Sequence, residues 1–142
     1  MIVDTSVVIG AIERRDSGAV RAIETMTNLS VRSMVVLGEL TFGVRSATDA
    51  TLAVRSRTRD LYLSISDPAG IVSLNGNQVA QWFGLTSAIA KASSIRVGQN
   101  DRWIVAESLT HGVPVWTADT AMRDLVDAIR ERHDAPEPMF IG

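Results

Sequence analysis

Val113-Pro114-Val115-Trp116-Thr117-Ala118-Asp119 is a short apolar run that ends on an acid. Pro114 stands at its entrance, where a missing N–H is tolerated, so residues 113–117 read as a strand. Upstream, Ile104, Val105, Ser108 and Leu109 recur at helical spacing, from a candidate cap at Asn100 to a helix-ending Gly112. Downstream, Met122, Leu125, Val126 and Ile129 form the apolar face of another helix. A short strand between two amphipathic helices is the unit of a parallel sheet with helices on both sides.

The rest of the chain repeats the unit. Ile2-Val3 reads as a buried strand, and Val7, Val8, Ala11 and Ile12 follow at helical spacing. Ser17-Gly18 is expected to break that segment, and a second helix to run from Ala19 to Thr27 with Val20, Ile23 and Leu29 inward. Val31 to Val35 is β-branched enough for a strand, followed by a helix to Val44. Thr48-Asp49 is expected to cap a long helix that reaches about residue 63. Residues 71–74 read as a strand, and Asn77 as the cap of a helix with Val79, Trp82, Phe83, Thr86 and Ile89 on one stripe. Met139-Phe140-Ile141 reads as a closing edge strand. No repeat or linker divides the 142 residues, so one domain over 1–142 is expected.

Composition excludes much. The chain has no cysteine, which removes disulfides, zinc–thiolate sites, iron–sulfur clusters and cysteine nucleophiles. His111 and His133 are its two histidines. A catalytic metal would therefore rest on oxygen ligands, which favours magnesium or manganese over zinc. No apolar run is long enough to span a membrane. An acid as early as position 4, with no basic region before it, argues against a secretory signal, and a cytoplasmic location is expected. The net charge of -2 gives no general attraction to nucleic acid. The basic residues are nevertheless almost all arginine, with Lys91 the one lysine.

In open parallel sheets, ligands bind beyond the carboxyl ends of the strands, where strand order reverses. Asp4 and Asp119 stand at such ends. Glu39 has Val35, Val36, Phe42 and Gly43 as its helical neighbours, an apolar face on which a carboxylate is costly unless paired or bound to metal. Asp101 heads the stripe of Ile104, Val105, Ser108 and Leu109. Each acid has a plain alternative: a cap for Asp4 and Asp119, a buried ion pair for Glu39, a helix-dipole partner for Asp101. Four acids from four segments brought together would repel one another, and a divalent cation is the simplest compensation. Such ions activate water and neutralise a phosphate, which is the logic of nucleases. No P-loop, dinucleotide fingerprint or Ser-His motif competes.

These motifs, in this order, resemble the PIN-domain family, and within it the VapC-type toxin ribonucleases. The match runs nearly end to end. Met1-Ile2-Val3-Asp4-Thr5-Ser6 is similar to the opening strand with the first acid, and Gly38-Glu39-Leu40-Thr41-Phe42-Gly43-Val44 to the helix with the second. Asn100-Asp101-Arg102-Trp103-Ile104-Val105-Ala106-Glu107 is similar to the segment with the third, and Trp116-Thr117-Ala118-Asp119 to the strand end with the fourth. The resemblance implies an α/β fold with a twisted parallel sheet of four to five strands. It implies a magnesium- or manganese-dependent endoribonuclease, a homodimer, and a cognate VapB-type antitoxin whose tail lies over the active site. Asp4, Asp101 and Asp119 are then the core metal ligands, with Glu39 direct or through water. Thr117 is a hydroxyl that positions water or an acid, and Thr5, Ser6 and Asn100 have supporting places. Trp103 and Leu125 depart from the family's usual side chains.

Arg14, Arg96 and Arg102 are the candidate RNA contacts, although a solvated surface charge explains each more simply. Arg55 and Arg59 share one helix face. Trp82 and Phe83 read as core or dimer interface. Two other readings stay open: a PIN-like module that binds RNA or a partner without cutting, and a phosphohydrolase of the haloacid dehalogenase type. The latter expects an acid at position 6, where Ser6 stands.

Overall fold

The computed structural model describes residues 1–72 and 76–141. The first half runs β1 (Ile2–Val3), α1 (Thr5–Ile12), α2 (Ser17–Glu24), β2 (Ser30–Ser33), α3 (Met34–Arg45), α4 (Leu52–Ile65) and β3 (Ser66–Val72). The second half runs α5 (Gly76–Ala92), α6 (Gln99–His111), β4 (Val115–Thr117), α7 (Thr120–Arg130) and β5 (Met139–Phe140).

All strand pairs are parallel. Ile2 of β1 lies opposite Val115 of β4, and Trp116 of β4 opposite Met139 of β5. A second ladder sets Ser30 of β2 opposite Ser66 of β3. The Val31 N–H donates to the Met1 carbonyl at 2.8 Å, which lays β2 along the other edge of β1. The spatial order is therefore β3-β2-β1-β4-β5, and it reverses at β1. The expected α/β sheet flanked by helices is what the chain forms. Ile2, Val3, Val7, Val8, Ile104, Val105 and Ile129 are buried in its core. Each fully buried aliphatic side chain contributes about 1.5–3 kcal/mol.

Several local expectations need correcting. Ser17-Gly18 opens α2 rather than breaking the chain before it. Asp16 caps that helix, its carboxylate accepting from Gly18 N–H at 2.8 Å and Ala19 N–H at 3.0 Å. Leu29 lies beyond α2 and is exposed rather than inward. β2 ends at Ser33, because the Ser33 hydroxyl accepts from Val36 N–H and starts α3 there. Val35 and Val36 are thus helical: a local cap outweighs β-propensity. α4 begins three residues after Asp49, following a turn in which Thr48 and Thr51 bond to one another. β3 starts earlier than expected, at Ser66, and the expected strand residues 73 and 74 lie outside the described residues. Gly98, not Asn100, stands at the N-cap of α6. Gly112 does end that helix, at φ 63°, a conformation that costs glycine little.

The reversal at β1 decides where chemistry can gather. β1 and β4 are neighbours and both point their carboxyl ends the same way, so Asp4 and Thr117-Ala118-Asp119 emerge side by side. α3 and α6 pack against each other across the same region and bring their own acids.

Candidate active site

Asp4 follows β1 directly, and its N–H still bonds to the Trp116 carbonyl at 2.8 Å. It stands at the N-cap of α1 but makes no side-chain cap. Its carboxylate accepts instead from Ser6 Oγ at 2.6 Å and from Thr117 Oγ1 at 2.9 Å. The two hydroxyls are themselves held: Ser6 Oγ accepts from Ala118 N–H at 3.1 Å, and Thr117 Oγ1 from Asp119 N–H at 2.9 Å. Asp4 is only 3% exposed, and burial pushes its carboxyl above the ordinary range against the pull of these bonds.

Asp119 keeps half of its simpler role. One carboxylate oxygen accepts from Ala121 N–H at 2.8 Å and caps α7. The other is uncommitted to any cap. Glu39 accepts from Thr5 Oγ1 and, at 3.0 Å, from the Asn100 side-chain amide. Asn100 therefore serves Glu39 rather than capping α6. The face of α3 that carries Glu39 is more open than expected, with Phe42 71% exposed. Its pairing is with hydroxyl and amide, not with an arginine.

Asp101 registers the whole group. It lies half-buried in the first turn of α6, against Gly98. Burial raises its carboxyl first, then the charges of Asp4, Asp119 and Glu39, and together they push it up to about 6. Four acids from α1's leading edge, α3, α6 and the end of β4 thus share one electrostatic neighbourhood. Among the described residues, no three acidic or histidine side chains stand close enough to grip one ion. The donors around Asp4 are nonetheless all oxygens, carboxylate or hydroxyl, the chemistry that hard divalent cations take.

Glu39 borders a cavity of about 450 Å³ that runs from Thr5 and Ile9 to Phe42, Arg55 and Thr58. Arg55, which the sequence offered only as part of a charged helix face, lines this cavity and donates to the Gly43 carbonyl at 3.1 Å. Arg14 is exposed past the end of α1, and Arg96 is exposed before α6. Arg102 is not the solvated charge expected. Its guanidinium donates to Ser87 Oγ at 3.0 Å and lies 5.4 Å from the centre of the Phe83 ring. Phe83 stacks on Trp103 at 3.8 Å, which accounts for an aromatic side chain at position 103.

One acid escaped the sequence reading. Glu107 is fully buried on α6 and accepts from Ser33 Oγ, the hydroxyl that caps α3. Burial pushes it up to about 7. It had no visible signal, because it sits beside the apolar stripe of a helix whose polar residues read as surface.

Likeness to known proteins agrees with this architecture. The chain is 32% identical to ribonuclease VapC4 of Mycobacterium tuberculosis over 87 residues, 61% of this chain and 64% of that protein. It superposes on VapBC-5 from M. tuberculosis, a member of the VapBC family of toxin–antitoxin systems. That match has a TM-score of 0.64 and 25% identity, over 87% of this chain and 88% of the other. FitAcB from Neisseria gonorrhoeae shares the fold at TM-score 0.70 and 20% identity, over 89% of this chain and 92% of that one. The PIN domain profile matches residues 1–127, from the strand that delivers Asp4 to the helix that Asp119 caps, and the chain belongs to the PIN-domain family.

Proposed function

We propose that the chain is a metal-dependent endoribonuclease and the toxin of a toxin–antitoxin pair. One observation carries the reading: four carboxylates from separate segments meet where strand order reverses, closely enough for three of them to raise the fourth. Burying like charges together without a use for them is costly. The names of the relatives, a ribonuclease and members of VapBC pairs, point the same way.

Asp4, Asp101 and Asp119 would hold a magnesium or manganese ion, with Glu39 directly or through water. The ion would supply Lewis acidity and offset charge on the phosphate. The chain's own part is orientation. Ser6 and Thr117 fix the plane of the Asp4 carboxylate, and Thr5 and Asn100 fix Glu39. The partner is a VapB-type antitoxin, and the active form a homodimer.

A module that binds without cutting is the second reading, favoured by the lack, among the described residues, of three acidic or histidine side chains already placed to hold one ion. One experiment separates the two. Purified protein is incubated with total cellular RNA, with magnesium or manganese and with chelator, beside the Asp4→Asn and Asp101→Asn variants. Cutting that needs both metal and the two acids is expected. Folded protein that leaves RNA intact in every buffer supports the binding module, and cutting that survives both substitutions dismisses the site.

A further inference from the structure

The notch between the end of α5 and the start of α6 holds three cations and no acid. Lys91, Arg96 and Arg102 line a cavity of about 440 Å³ with Ser87, Val97 and Gly98. None of the three forms an ion pair among the described residues. Arg102 is fixed in place by Ser87 and Phe83, and its Nε is buried without a hydrogen-bond partner. A planar guanidinium with donors to spare, already immobilised, suits a phosphate oxygen and loses little entropy on meeting one. The notch ends at Gly98, the N-cap of α6, with Asp101 in the first turn of the same helix.

Gly98 is also the wall shared with the acid cluster. A Cβ built on it would stand 3.5 Å from Asp101 Oδ2. The cation notch and the candidate cleavage site are therefore next-door neighbours on either side of one backbone turn. A nucleic-acid strand carries a charge at every nucleotide, so one strand passing the acids brings a second phosphate to the notch. The lining offers nothing bulkier than Ile95 among its apolar side chains and no aromatic ring, so a protein segment would find no anchor there.

We propose that Lys91, Arg96 and Arg102 form a phosphate subsite for the RNA strand whose scissile phosphate lies at the acid cluster. This rests on the nuclease reading above and adds to it a second point of attachment for the substrate.

The test uses the full chain with Asp4→Asn, in chelator, and a short fluorescein-labelled single-stranded RNA followed by anisotropy. Adding Lys91→Ala and Arg96→Ala, both at exposed side chains, is expected to weaken binding roughly tenfold at low salt and to lessen the salt slope by about 1.4, or about 0.7 per lost contact. The pair Arg21→Ala and Arg132→Ala, both at exposed side chains, removes the same charge elsewhere and is expected to change neither. Unchanged affinity and slope in the Lys91/Arg96 variant overturn the subsite, as does an equal loss in the Arg21/Arg132 variant. Loss of polyglutamate binding with RNA binding intact assigns the notch to an acidic protein and also overturns it. Cleavage is scored separately with the native acids. Cutting with no change in KM for the Lys91/Arg96 variant removes the subsite alone. Weakened binding without any cutting keeps the subsite and removes the nuclease.

Discussion

Thr117 uses one hydroxyl twice, donating to Asp4 and accepting from the Asp119 N–H. That pairing links two acids that lie 115 positions apart in the chain, and no spacing rule in the sequence announces it. The acids were legible because carboxylates at strand ends or on apolar faces are out of place. The hydroxyls were legible only as neighbours of those acids. Glu107 gives a residue-scale prediction with a definite sign. Burial pushes its carboxyl up to about 7 in the folded protein, against 4.5 as the ordinary value. Between those values the folded chain holds a proton that the unfolded chain has released, so stability falls as pH rises. The whole shift corresponds to roughly 3 kcal/mol. Glu107→Gln is expected to flatten melting temperature against pH across that window, and a curve as steep as the parent's would show that another group is responsible. Asp101 carries a second prediction. It must lose its proton to bind a cation, so manganese affinity should climb as pH passes about 6, read by calorimetry. In Asp101→Asn the climb should be missing.

Two helix caps, Asp16 on α2 and Ser33 on α3, look alike in sequence and differ in what they carry. Asp16 is exposed and serves two backbone N–H groups. Asp16→Ala should therefore cost about 1 kcal/mol, the usual loss of a cap. Ser33 is fully buried, accepts from Val36 N–H and donates to the Glu107 carboxylate. Ser33→Ala should cost about twice as much, because a buried carboxyl loses its hydroxyl donor as well as a helix end its cap. Urea denaturation of the two variants side by side measures the difference, and equal midpoints would mean that Glu107 does not depend on Ser33. Helix periodicity served well wherever one face was buried, as in α7 with Met122, Leu125, Val126 and Ile129. It misplaced Leu29 and the start of α3, where a cap or a turn set the boundary before hydrophobic pattern had any say.

Across the whole molecule, the parallel order β3-β2-β1-β4-β5 is what brings four scattered acids to one end of the sheet. The class of sheet could be read from short apolar runs between amphipathic helices. The order of its strands could not, because strand order is set by which helices pack on which face, a property of pairs of elements. Like charges gathered at the sheet's carboxyl end oppose folding, and a cation that bound only the folded state would relieve them. Chelator-treated protein is expected to melt higher in millimolar manganese or magnesium, by about 2.7 kcal/mol of added stability at a hundred times the dissociation constant. An unmoved melting curve would count against a preformed cation site.

The amide protons of Ala118 and Asp119 are held by the Ser6 and Thr117 hydroxyls, not by the carbonyls of a neighbouring strand. Their exchange with deuterated solvent is therefore gated by the hydroxyl net around Asp4 and not by the sheet ladder. Those two backbone signals form a built-in gauge: any occupant that tightens or pulls apart the net would register there, with no label attached to the protein and no turnover required.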